Sequence, residues 1–181
     1  MKTITLRCPL SNYLKLFLFL LDRAEYMINT GGSSAKPQDK YRVHANTSWA
    51  AVYSRSWCKN YIGGGRPISF AAPEKDSSYG IVLGSSDEPV SPSDYNLKAK
   101  IEHSDTGLYY GKSSIYFSDI EKPIFHVYRD FQNKSAEDIT IKEAGLIIKD
   151  EKDQKFLLFR DIVNQVLAPG ELLAVDILIT V

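Results

Sequence analysis

From Pro67 to Val181 the chain is a succession of short strand-like runs separated by turns. The runs are Ile68-Ser69-Phe70, Tyr79 to Gly84, Leu97 to His103, Ser114 to Phe117, Ile124 to Phe131, Ile139 to Ile148, Phe156 to Arg160 and Leu172 to Val181. Leu97 to His103 (LKAKIEH) alternates apolar with polar residues, the period of a half-buried strand. Parallel strand–helix–strand units need crossovers of about a dozen residues or more, and most gaps here are shorter. The spacing therefore predicts a mainly β fold with antiparallel pairing, a β-sandwich or jelly-roll-like domain. Abundant aromatics, 11 Tyr and 8 Phe, suit side chains that stand off a pleated surface.

The first third reads differently. Leu14 to Leu21 (LKLFLFLL) is the most apolar stretch, too short to span a bilayer, which takes about 20 apolar residues. Lys2 and Arg7 give it a basic start, but Asp22 to Tyr26 offers no convincing cleavage site for a signal peptide. The pattern predicts a docked helix from Ser11 to about Ile28, capped by Ser11 or Asn12 and ended at Gly31-Gly32. Its middle has no polar face, so it must be covered on most sides, by this domain or by another chain. Thr30 to Asp39 (TGGSSAKPQD) reads as a linker, and Val43 to Ile62 is an aromatic-rich insert holding Trp49, Trp57, Tyr53 and Tyr61. Gly63-Gly64-Gly65 lacks the Gly-Lys-Ser/Thr of a phosphate loop and reads as a turn. The chain thus divides into residues 1–65, a helix, linker and Trp-rich docking segment, and 66–181, the β domain.

Charge and cysteine content narrow the function. With 22 Lys+Arg against 22 Asp+Glu there is no basic excess of the kind that displaces counterions from nucleic acid, and little self-repulsion between copies. The two cysteines, Cys8 and Cys58, are neither a disulfide framework nor a zinc pattern. The histidines are His44, His103 and His126. His103, with Glu102 and Asp105 nearby, would join His126 in a metal or acid–base group if their strands were neighbours. No Ser lies in a Gly-x-Ser-x-Gly elbow, and Cys58 beside Trp57 and Lys59 suits a partly buried thiol. No catalytic residue, cofactor site or metal site is assigned. The sequons at Asn46 and Asn133 matter only in a secretory pathway.

Several turns are specific. Ser91-Pro92-Ser93-Asp94 has the residues of a helix start, which predicts one helical turn dropping Tyr95 and Leu97 onto the sheet. Gly145 inside a strand pattern marks a bulge or a close backbone approach. Lys149 to Lys155 is a charged hairpin tip, and Pro169-Gly170 is a turn into an alternating last strand that belongs inside a sheet or an interface.

In order, these residues are Gly80-Ile81-Val82-Leu83-Gly84, the Pro89 to Leu97 turn, Glu143-Ala144-Gly145-Leu146, Leu158-Phe159-Arg160-Asp161 and Pro169-Gly170-Glu171-Leu172. Over roughly residues 79–181 the chain resembles a group of virion structural proteins of tailed bacteriophages. In that group the first strand commonly carries Val-Gly-Thr-Gly, and the late strands read like Glu-x-Gly-Leu followed by Leu-Phe-x-Arg. This chain has Gly84-Ser85-Ser86 in place of Gly-Thr-Gly, and the resemblance does not extend over residues 1–60.

The resemblance implies a non-enzymatic particle component, assembled in the host cytoplasm, with other virion proteins (capsid, portal or connector, tail) as partners, a homo-oligomeric habit, and no nucleic-acid or membrane contact. Tyr13, Leu16, Phe17, Leu20, Trp49 and Trp57 are the interface candidates, being the aromatic and aliphatic anchors that carry interface energy. The alternative expectation is a receptor- or glycan-binding module of a tail or head fibre, since exposed Trp and Tyr stack on sugar rings.

Overall fold

The computed structural model describes residues 1–8, 69–91, 94–117, 124–149, 153 and 155–180. These form seven strands and, among the described residues, no helix. They are β1 (Lys2–Arg7), β2 (Gly80–Gly84), β3 (Leu108–Phe117), β4 (Ile124–Asn133), β5 (Ile139–Lys149), β6 (Lys155–Leu167) and β7 (Leu172–Thr180). One sheet has the order β1-β7-β4-β3 and the other β2-β5-β6. Both feed a single apolar core, an arrangement consistent with a β-sandwich.

Alternation explains the four-stranded sheet. On β7, Leu173, Val175 and Ile177 are fully buried, as are Val127, Arg129 and Phe131 on β4 to within a percent. The intervening His126, Tyr128, Asp130 and Asp176 stand on the opposite face. The last strand lies between β1 and β4, inside the sheet as expected. The charged tip at Lys149 to Lys155 joins β5 to β6 as a hairpin with Lys149 opposite Lys155. Gly170, at φ +79°, makes the turn into β7, a backbone conformation that L side chains rarely adopt.

Four expectations change. Lys2–Arg7 is a strand, and it pairs parallel to β7, so the pairing is antiparallel everywhere else but not there. Its period-2 signature, Ile4 and Leu6 packed on the core with Thr3, Thr5 and Arg7 exposed, is short and sits beside the basic start. Second, Leu97 to His103 is not a strand. It touches β2 through one isolated bridge, Gly84 to Lys100, because the Lys98 and Ala99 amides donate to the Glu143 carboxylate instead of to a ladder. Third, Ser69 meets Lys149 in an isolated bridge rather than in a strand, with Ile68 outside the described residues. Fourth, Tyr95 is exposed rather than dropped onto the sheet, while Leu97 is buried as expected. The capping-box bonds at the start of that segment are present, Ser91 N–H donating to Asp94 Oδ2 (2.9 Å) and Asp94 N–H to the Ser91 carbonyl (3.0 Å), with Pro92 and Ser93 outside the described residues. The predicted helix from Ser11, the linker and the Trp-rich insert lie outside the described residues.

β5 is buried continuously from Glu143 to Ile148. Such a run needs cover on both faces. Ala144 and Leu146 face the core shared with the other sheet. On the opposite face Gly145 lies under Leu97, where an added Cβ would come 2.5 Å from Leu97 Cδ1 and 3.0 Å from the Phe159 carbonyl. The close approach expected at Gly145 is therefore present. The covering layer comes from residues 85–91 and 94–99, which are neither helix nor strand.

Candidate functional site

Three of the five segments that carry the sequence resemblance, those holding Pro89 and Asp94, Glu143 and Gly145, and Arg160, meet in one buried network. Glu143 and Gly145 lie on the same face of β5, opposite to Ala144, and Arg160 on β6 is the register partner of Gly145. Arg160 Nε donates to Glu143 Oε2 at 2.7 Å, and Nη1 donates to Asp94 Oδ2 at 3.0 Å. Its remaining donors reach the carbonyls of Pro89 (3.3 Å) and Glu88 (2.9 Å). Glu143 in turn accepts from the Ala99 amide at 2.7 Å and from Lys98 N–H at 3.1 Å. The side chains of Arg160, Glu143 and Asp94 are 1%, 0% and 3% exposed. Lys98 Nζ pairs with Asp94 at 3.0 Å, so two cations balance two carboxylates.

Burial opposes ionisation of Asp94, but the Ser91 backbone bond, the Lys98 ammonium and the Arg160 guanidinium outweigh it and hold the carboxyl below the usual carboxylate range. The network fastens residues 85–91 and 94–100 over the three-stranded sheet.

A second buried cation ties the sheets together. Arg129 on β4 is 0% exposed, and its five donors go to five backbone carbonyls. Nε donates to Gly111, Nη1 to Tyr79 and Ile81, and Nη2 to Pro73 and Asp76, all between 2.6 and 3.2 Å. The guanidinium also lies 4.8 Å from the Tyr110 ring centroid. Burial pushes the guanidinium down to about 10. Tyr110 adds a bond of the same kind, donating to the Ile101 carbonyl at 2.5 Å while accepting from Leu83 N–H at 3.1 Å, and burial pushes its hydroxyl up.

The outer face of the four-stranded sheet holds a histidine–carboxylate pair with a stacked aromatic partner. His126 Nδ1 donates to Asp176 Oδ2 at 2.9 Å, and the Tyr116 ring stacks on the imidazole at 4.4 Å and 10°. Tyr116 OH donates to Asp176 at 3.2 Å. Beside it, Tyr128 OH donates to Asp130 at 2.5 Å, a bond that pushes the hydroxyl up to about 12. His126 Nε2 is buried and has no hydrogen-bond partner among the described residues. A carboxylate that fixes one ring nitrogen is the arrangement of acid–base and metal-bound histidines. Among the described residues, however, no three His, Cys, Asp or Glu are grouped to hold a metal ion.

The sequence placed His103 and His126 together only if their strands were neighbours. They are not: His103 packs edge-on against Tyr109 and lies 3.5 Å from Asp105, near the start of β3, whereas His126 stacks on Tyr116 near its end. Asn133, the described sequon residue, is 0% exposed, with its amide donating to the Glu137 and Leu167 carbonyls. Cys8 is buried. Tyr13, Leu16, Phe17, Leu20, Trp49 and Trp57 lie outside the described residues, as do His44 and Cys58.

Sequence reasoning missed Arg129 and the pairing of Arg160 with Glu143. The available signal was parity. Arg129 shares its side of β4 with Val127 and Phe131, so a charge on the apolar phase of a strand marks a buried, fully bonded group. No known protein family, curated protein or solved structure matches this chain.

Proposed function

We propose that this chain is a non-enzymatic structural component of a tailed-bacteriophage particle, acting through protein–protein contacts in capsid, neck or tail assembly. The reading rests on the resemblance of residues 79–181, and one observation carries it. Glu143 and Arg160, which lie in the two late-strand segments of the resemblance, are spent on holding a loop to a sheet, paired at 2.7 Å, as expected of segments that preserve a shape. In this reading the two sheets form a jelly-roll-like sandwich, and its partners are other virion proteins and further copies of itself. Docking falls to the part of residues 1–65 that follows β1, with Tyr13, Leu16, Phe17, Leu20, Trp49 and Trp57 as anchors.

Cross-linking mass spectrometry on purified particles tests it. We expect the protein in particles at fixed stoichiometry, with links from Lys15, Lys36 and Lys59 to capsid proteins for a head role, or to portal, connector or tube proteins for a neck or tail role. Absence from particles overturns the reading. The exposed ring of Tyr116, beside Asp176 and Tyr128, favours a glycan-binding module as the second reading. That reading requires carbohydrate binding by an intact monomer on a glycan array.

A further inference from the structure

Residues 86–91 and 94–98 belong to a loop whose two ends are bonded to each other. Ser85 N–H donates to the Ala99 carbonyl at 2.9 Å, and just beyond, Ile101 N–H donates to Leu83 at 2.8 Å. A compact surface loop with a closed neck is an Ω-loop. Between those ends, the one backbone–backbone bond among the described residues is the local one from Asp94 to Ser91. Among the described residues, no main-chain ladder holds the loop to the sheet beneath it.

Side chains hold it instead. Arg160 reaches the carbonyls of Glu88 and Pro89 and the carboxylate of Asp94. Leu97 inserts over Gly145, Lys142 pairs with Asp87 at 2.7 Å, and Glu143 grips the amides of Lys98 and Ala99 at the neck. Every grip except the exposed Lys142 pair meets the same small area of β5 and β6. Contacts that converge in this way are made together or lost together, and segments with few backbone bonds open locally below the free energy of global unfolding.

We propose that this loop opens as one unit about Ser85 and Ala99, with Arg160 as its catch, while both sheets stay folded. Opening uncovers Gly145, Leu157 and the Arg160–Glu143 pair, turning a covered face of the three-stranded sheet into an available one. The device stands whether or not the chain is a virion component.

Residue-resolved amide hydrogen exchange on the full chain, measured against urea below the unfolding transition, tests it. The amides of Lys98 and Ala99 are expected to share one opening equilibrium that is nearly independent of urea. Those of Leu146 and Ile147 are expected to exchange more slowly and with strong urea dependence, through global unfolding. Ile177→Val, in the core of the other sheet, should speed Leu146 and Ile147 several-fold and leave Lys98 and Ala99 unchanged. Leu97→Ala should speed Lys98 and Ala99 at least tenfold. The proposal is overturned if Lys98 and Ala99 follow the urea dependence of Leu146, or if Ile177→Val accelerates all four amides equally.

Discussion

Arg160 on β6 and Glu143 on β5 form an ion pair at 2.7 Å with both side chains essentially out of solvent, and each holds a different part of one covering loop. Two charges brought into a low-dielectric interior recover their lost hydration only if their remaining donors and lone pairs are also met. Here they are: three further bonds leave Arg160, and Glu143 accepts two amides.

Removing one member of that pair strands the other. Glu143→Gln or Arg160→Gln should each destabilise the protein by about 3–5 kcal/mol, as for other broken buried pairs. The double variant should cost less than the sum, since the second substitution no longer abandons a charge. Urea denaturation of the four proteins measures this, and additive losses would show that the two side chains act independently.

Arg129 has no carboxylate partner, so its fit depends on donor count. Arg129→Lys keeps the charge but has three donors for five carbonyls, leaving at least two unmet at about 1–3 kcal/mol each. A loss of about 2 kcal/mol or more in urea is expected, and an unchanged midpoint would mean that the carbonyls find other partners.

How far the sequence foretold these features depended on the range of the interaction behind them. Strands whose apolar phase matches the buried one, such as β7 with Leu173, Val175, Ile177 and Ile179 buried, were legible because local period and burial agree. Gly145 was legible as a close approach, although Leu97 as the neighbour was not. Leu97 to His103 misled because its alternation is real but is satisfied by Glu143, a carboxylate more than forty positions away. The short β1 was overlooked because only its partner β7, at the other end of the chain, makes it a strand. Of the candidate sites, the His103–His126 pairing was decided by placement along β3, which no local pattern encodes.

Gly145→Ala places a Cβ 2.5 Å from Leu97 Cδ1 and 3.0 Å from the Phe159 carbonyl oxygen. Leu97 can move while the strand backbone cannot, so overpacking should cost about 1–3 kcal/mol. Combining it with Leu97→Ala removes the nearer clash, and the pair should be less damaging than the sum of the two. Thermal unfolding of the single and double variants reads the coupling, and strict additivity would place the strain at Phe159 alone.

Asp94 gives the network an acid limit. Its carboxyl is held below the usual range in the folded protein by Ser91, Lys98 and Arg160 against the opposing effect of burial. A carboxylate whose folded value is depressed contributes stability that is fully present above its unfolded value, about 3.9, and is lost as pH falls through the folded value. Unfolding free energy should therefore decline below about pH 4. Asp94→Asn should be less stable than the parent at neutral pH, because Lys98 loses its carboxylate and Arg160 loses one of its two, and its decline on acidification should be shallower. Urea titrations from pH 7 down to the acid transition compare the two slopes. Identical slopes for parent and variant would mean that Asp94 gains nothing from its partners on folding, and that Glu143 alone carries the charge balance around Arg160.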